Sequence, residues 1–281
     1  MATAHPNFVD KLEDTSSAEC RVVADGYCIT SRGPGTAMEY ALAIVERLFG
    51  KERADAVAKP MVIRSPDGTE TLRQEFGVEI PFQVAEGEGV PPKVLVPIAN
   101  GSEEMEAVII IDVLRRGGAN VIVASVEDQL QISASRGVKI VADCLISKCA
   151  NSVFDLIVLP GGMPGAERLR DSEVLSQLLR QQVESQRLYA AICAAPAVVL
   201  QPKGLLEGRR ATAHPAFVNK LVDRSAVDTR VVSDGIVLTS RGPGTAMEFA
   251  LALVERLFGS ERAAQVARPM VISRSVLPIT A

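Results

Sequence analysis

A chain of 281 residues that is 47% apolar and 23% charged can bury a substantial core without disulfide or metal staples, so disorder is not the default expectation. Lys and Arg number 30 against 34 Asp and Glu, and a net charge of −4 lacks the basic excess of a nucleic-acid or anionic-membrane binder. Five cysteines without a Cys-x-x-Cys pair, together with two histidines, argue against a disulfide framework and a zinc cluster and leave one special thiol to look for. No apolar run approaches the roughly 20 residues of a membrane span, and residues 1–10 (MATAHPNFVD) have neither a signal-peptide core nor transit-peptide character. The expectation is a soluble, intracellular protein.

The first segment of the chain returns near its end. Residues 2–63 match 211–272 at a constant offset of 209 without a gap, with 44 of 62 positions identical. Agreement at that level means duplication, and it is partial. Nothing before Ala2 corresponds to the 118 residues, 93–210, that precede the second copy. Residues 64–92 are rich in Glu, Gly and Pro and read as a linker carrying a short strand at 78–84. The expected layout is a C-terminal piece of a repeat (1–63), a linker (64–92), a complete unit (93–272) and a tail (273–281).

Inside the complete unit, β-branched runs alternate with helical stretches. KVLVPI (93–98), NVIVASV (120–126), DLIVLP (155–160) and LYAAIC (188–193) read as buried strands. Residues 103–116 and 172–186 read as helices, the second introduced by Asp171 and Ser172 as cap candidates. Thr245-Ala-Met-Glu248 predicts a capping box opening a helix to about Phe258, and the same box stands at Thr36–Glu39. Alternating strand and helix predict an α/β fold with a parallel sheet covered on both faces.

In such sheets ligands bind beyond the carboxyl ends of the strands, which directs attention to each strand exit. At one exit, Cys193 lies where an apolar strand runs into a tight Ala-Ala turn with Pro196 following, the arrangement of a nucleophile elbow. Helix N-terminal amides there favour the thiolate, which predicts that Cys193 is the most reactive of the five cysteines; the alternative is a buried structural thiol. At another exit, Glu103 and Glu104 suit a helix dipole, whereas Glu106 precedes the run AVIIIDVL and either points inward, with a raised pKa and a hydrogen bond to a neighbouring thiolate, or faces water. At a third, Gly161 and Gly162 permit close backbone approach, and the Gly162 amide with that of Ala194 can form an oxyanion hole; a plain Gly-Gly turn is the alternative. His214 either assists proton transfer at Cys193 or is held by packing before Pro215. No phosphate loop or dinucleotide fingerprint occurs.

Five motifs in order, VLVPIANGSEEMEA (94–107), FDLIVLPGGMPGA (154–166), AAICAAP (190–196), TAHP (212–215) and TSRGPGTAMEFALALVE (239–255), give the chain a specific resemblance to the DJ-1/PfpI family, the Parkinsonism-associated deglycases. It looks most similar to plant members that carry two such domains in tandem, with the front of the first unit missing. The resemblance implies a flavodoxin-like three-layer sandwich related to class I glutamine amidotransferases. It places the family's oxidisable cysteine on Cys193, its acid on Glu106, its oxyanion amides on Gly162 and Ala194, its histidine on His214 and its pocket arginines on Arg116 and Arg136. Ala195 departs from the Gly found in many members, and a methyl there narrows the pocket. The implied activities are conversion of methylglyoxal to lactate or removal of early glycation adducts, without metal or organic cofactor, in protection against oxidative stress. A non-catalytic redox sensor or chaperone-like protein using oxidation of Cys193 is the alternative. The implied partners are a small aldehyde or a glycated protein, with no nucleic acid or membrane and with either a homodimer or an intramolecular repeat contact. The expected compartment is the cytoplasm, with the nucleus as a second location.

Overall fold

The strands of the sheet are made by runs with no polar alternation, as burial on both faces demands. In the computed structural model, which describes residues 1–64 and 90–272, the first copy supplies a hairpin, β1 (Val22–Asp25) and β2 (Cys28–Ser31), and helices α1 (Ala37–Phe49) and α2 (Lys51–Ala58). The complete unit then runs β3 (Lys93–Ile98), α3 (Glu104–Gly117), β4 (Asn120–Ser125), a small hairpin of β5 (Gln131–Ser133) and β6 (Lys139–Val141), β7 (Cys144–Leu145) and β8 (Leu156–Leu159). It continues through α4 (Gly165–Asp171), α5 (Glu173–Glu184), β9 (Leu188–Ile192), β10 (Val231–Asp234), β11 (Val237–Ser240), α6 (Ala246–Phe258) and α7 (Ser260–Ala267). The strand expected at 78–84 and the tail at 273–281 lie outside the described residues.

Seven strands form one sheet in the order β10-β11-β9-β8-β3-β4-β7, parallel throughout except for β10 against β11. Helices α3, α6 and α7 pack together on one side, with α3 and α6 against the strands, while α4 and α5 contact β3, β8 and β9. The fold is a flavodoxin-like α/β sandwich. Its core is the apolar sheet itself: Val94, Leu95, Val96 and Ile98 of β3 and all of β8 are fully enclosed. Each central strand ends on the same edge, so the residues after β3, β8 and β9 meet there.

The strands expected at 93–98, 120–126, 155–160 and 188–193 and the helices expected at 103–116, 172–186 and up to Phe258 are present, their ends shifted by a residue or two. Ser172 caps α5 as read, its Oγ accepting from Leu175 N at 3.3 Å. The capping boxes are a correction. Thr245 turns its hydroxyl back to accept from Gly242 N at 3.0 Å, and Glu248 pairs with Arg230 at 2.9 Å instead of reaching the helix start. Thr36 and Glu39 do the same with Gly33 and Arg21. A buried guanidinium outcompetes a backbone amide for a carboxylate because it offers charge as well as hydrogen bonds.

The two copies exchange their ends. His214 Nε2 lies 2.8 Å from the Pro60 carbonyl, and the equivalent His5 Nε2 lies 2.8 Å from that of Pro269. Arg230 donates to the Val62 carbonyl at 3.3 Å, and Arg21 to that of Val271 at 3.2 Å. Arg64 reaches across to Glu248 at 3.0 Å. These reciprocal contacts are those of an isologous, pseudo-two-fold interface. Between the copies lies a groove of about 930 Å³, with Met38 and Leu42 on one side and Met247 and Pro215 on the other.

Candidate active site

After β9 the chain must leave the sheet at once, and Cys193 does so in the left-handed region, at φ 65°. A non-glycine residue there is strained, and such strain concentrates at functional positions. The segment that follows is a π-helical turn, Pro196–Leu200, and not the helix expected. Cys193 is 8% exposed and its carbonyl accepts from His214 N at 2.8 Å.

Glu106 is carried to the sulfur by α3. Glu103 caps that helix, its carboxylate accepting from Glu106 N at 2.7 Å, and its own N–H donates to the Gly161 carbonyl at 2.9 Å. This bond ties the start of α3 to the exit of β8. The Glu106 side chain is fully buried and Oε2 accepts from Gly161 N at 2.8 Å. Its other oxygen, Oε1, is buried with no nitrogen or oxygen to satisfy it, and the Cys193 thiol is the polar group beside the carboxyl. Burial first, and then the neighbouring Glu103 carboxylate, push Glu106 up to about 8.

The Gly-Gly exit is required by this crowding. A Cβ on Gly161 would lie 2.6 Å from the Cys193 Cβ and 2.9 Å from Glu106 Oε2, and one on Gly162, at φ 88°, would lie 2.4 Å from Glu103 N. Backbone amides of Gly162 and Ala194 face the Cys193 sulfur and draw its pKa down. Burial and the Glu106 carboxylate outweigh them and hold the thiol well above its ordinary value, against the expectation of a thiolate favoured by helix amides. Cys20 and Cys28 are exposed, so a reagent reaches them without entering the site.

Of the remaining expected residues, His214 comes close through its backbone. Its ring nitrogens are engaged elsewhere, Nδ1 accepting from Ala216 N at 3.2 Å and Nε2 donating to Pro60 O, so neither is presented to the thiol. Arg136 lies beside the start of α3, its N–H donating to Glu104 at 2.8 Å and its charge felt by Glu103. Arg116 is a correction: it lies at the far end of α3, about 15 Å along the helix from Glu106, in a surface pair with Asp112. Ala195 is fully buried behind the elbow. Glu104, read from the sequence as serving the helix dipole, accepts from Ser135 Oγ as well as from Arg136 N and so fixes the turn bearing Arg136. The signal was present in the three carboxylates of GSEEMEA, more than a dipole needs.

An acid from the exit of β3 and a thiol from the exit of β9, brought together across the exit of β8 with two amides aimed at the sulfur, form a candidate thiol site on a flavodoxin-like sandwich. The chain matches the DJ-1/PfpI family over residues 92–256 and belongs to it. It is 49% identical over 272 residues to Protein DJ-1 homolog B of Arabidopsis thaliana, an alignment covering 96% of this chain and 61% of that protein, so the chain spans about three fifths of that relative's length. Over 175 residues it is 37% identical to the Glutathione-independent glyoxalase DJR-1.2 of Caenorhabditis elegans, covering 62% of this chain and 92% of that one. The solved structure of oxidized Toxoplasma gondii DJ-1 superposes with a TM-score of 0.62 at 49% identity, covering 65% of this chain and 99% of that one.

Proposed function

We propose that the chain is a cysteine-dependent glyoxalase or deglycase-type enzyme that acts on methylglyoxal or early glycation adducts and needs no organic cofactor. The observation that supports this reading most is the unsatisfied Oε1 of Glu106 beside Cys193, on a carboxyl whose pKa near 8 suits proton transfer at neutral to mildly alkaline pH. The sulfur attacks the aldehyde carbon of methylglyoxal while its proton passes to the Glu106 carboxylate, giving a hemithioacetal whose oxyanion the Gly162 and Ala194 amides receive. Glu106 then moves protons through an enediol-like intermediate to a lactoyl thioester. Water cleaves that thioester, releasing lactate and restoring the thiol, so the net reaction is addition of one water to methylglyoxal. The family likeness to a relative named a glyoxalase agrees with this chemistry.

A sensor reading rests on the same two amides, which can equally hold the oxygens of a Cys193 sulfinate. Lactate formation by the purified chain, measured beside Cys193→Ser and Glu106→Gln, separates the two. Turnover that is abolished by the first change and lowered by the second supports the enzyme. A folded chain that makes no lactate yet takes up two oxygens at Cys193 supports the sensor.

A further inference from the structure

Two of the five cysteines belong neither to the catalytic centre nor to the exposed surface of the first copy. Cys144 begins β7, the edge strand, in parallel register with Ala124 of β4, and Cys149 ends the 3₁₀ turn Ile146–Cys149 that follows. Their sulfurs are 3.7 Å apart, in contact but unbonded. We propose that Cys144 and Cys149 are a dithiol/disulfide couple, a second redox centre independent of Cys193, with a hydroperoxide as its oxidant.

A disulfide needs a separation of about 2.0 Å, so each sulfur has less than about 1 Å to travel, a motion side-chain torsions supply. The backbone on either side is already fixed. Asp143 N donates to the Val123 carbonyl at 2.8 Å, the Asp143 carboxylate accepts from Val123 N at 2.9 Å, and Ser152 N donates to the Cys149 carbonyl at 2.9 Å. Access distinguishes the two thiols, since Cys149 is 3% exposed and Cys144 partly so. Cys144 therefore reacts first: its sulfur attacks the outer oxygen of the hydroperoxide, the O–O bond breaks, an alcohol or water leaves, and a sulfenic acid remains. Cys149 resolves it. Burial and its neighbour push that thiol up to about 12, so it waits protonated, and its proton departs with the sulfenic hydroxyl as water when the S–S bond forms. Two thiols and one hydroperoxide give one disulfide, one alcohol or water, and one further water; the pair loses two electrons and the peroxide gains them.

The test uses the full chain treated with hydrogen peroxide, followed by maleimide blocking in acid and tryptic digestion without reductant. Cleavage after Lys148 separates the two cysteines, so the disulfide is read as residues 140–148 joined to 149–168, two hydrogens lighter than the separate peptides and split by dithiothreitol. The joined species is expected to dominate in wild type and to form equally in Cys193→Ser. In Cys149→Ser, Cys144 should be trapped by dimedone as its sulfenic acid. Recovery of Cys144 and Cys149 as maleimide adducts at a dose that fully oxidises Cys193 overturns the proposal. Loss of the joined species in Cys193→Ser, or pairing of Cys144 with Cys20 or Cys28, overturns it as well.

Discussion

Glu106 is a carboxyl placed where its ionised form is penalised by full burial and by Glu103, and two measurable consequences follow. The first is kinetic. Because the carboxylate is the form that accepts the Cys193 proton, methylglyoxal turnover should rise up to about tenfold per pH unit on approaching pH 8 and level off above it, and Glu106→Gln should lower the rate roughly 10²- to 10⁴-fold. A rate flat from pH 6 to 9 would remove Glu106 from the mechanism. The second is thermodynamic. The folded state holds the Glu106 proton up to about pH 8 while the unfolded chain releases it near the ordinary value of 4.5, so the stabilising effect is complete below 4.5 and is lost as pH rises toward 8. Stability should fall by up to about 1.4 kcal/mol per pH unit across that window, and Glu106→Gln should remove this contribution. Urea unfolding of both proteins at pH 5 and pH 8 provides the check.

Between elements, the repeated Arg-Glu pair provides a comparison of burial, with Arg64 as an added partner of Glu248. Arg230 and Glu248 have side chains 5% and 3% exposed, whereas Arg21 and Glu39 are 37% and 43% exposed. Stranding a buried guanidinium costs about 3–5 kcal/mol and losing a solvated pair about 0–1 kcal/mol. Denaturant midpoints should therefore drop clearly for Glu248→Ala and hardly for Glu39→Ala. Equal losses would mean that the two environments do not differ as described. This pair also marks the limit of sequence reading. The strands were legible because unbroken apolar runs such as LIVL leave few alternatives, and the elbow because strand, small residues and proline occur in that order around Cys193. The destination of Glu248 was not, since a capping box and an ion pair use the same residue types and only the fold decides that Arg230 is nearer. Arg116 was assigned through the family resemblance, outside the five motifs, and ten residues of helix carry it away from Glu106. His214 was read as a proton-transfer candidate or a packed residue, and its ring is claimed by a carbonyl 154 residues away, a contact that no local pattern encodes.

For the molecule as a whole, Cys193, Glu106, Gly162 and Ala194 all lie within residues 93–272, while the first copy contributes the Pro60 carbonyl on His214 and Arg64, the first linker residue, its charge on Glu248. Deleting residues 1–90 is therefore expected to keep turnover per folded molecule while uncovering Met247 and Pro215 along the groove and altering association or solubility. Sedimentation and lactate formation on the truncated chain test both halves; loss of turnover in a folded, monodisperse truncation would assign the first copy to the active site. The hairpins and helices of the two copies have equivalent local geometry but different surroundings. Leu48 is 67% exposed and its counterpart Leu257 is 3% exposed, and β2 has one paired edge among the described residues where β11 has two. Residues 30–39 and 239–248 are the same decapeptide, TSRGPGTAME, so their interior amides share one intrinsic hydrogen-exchange rate. Any difference in their deuterium uptake, recorded in a single sample, then measures what tertiary enclosure alone adds to the opening free energy of that segment. The molecule carries its own host–guest experiment, with the guest held constant and the host varied.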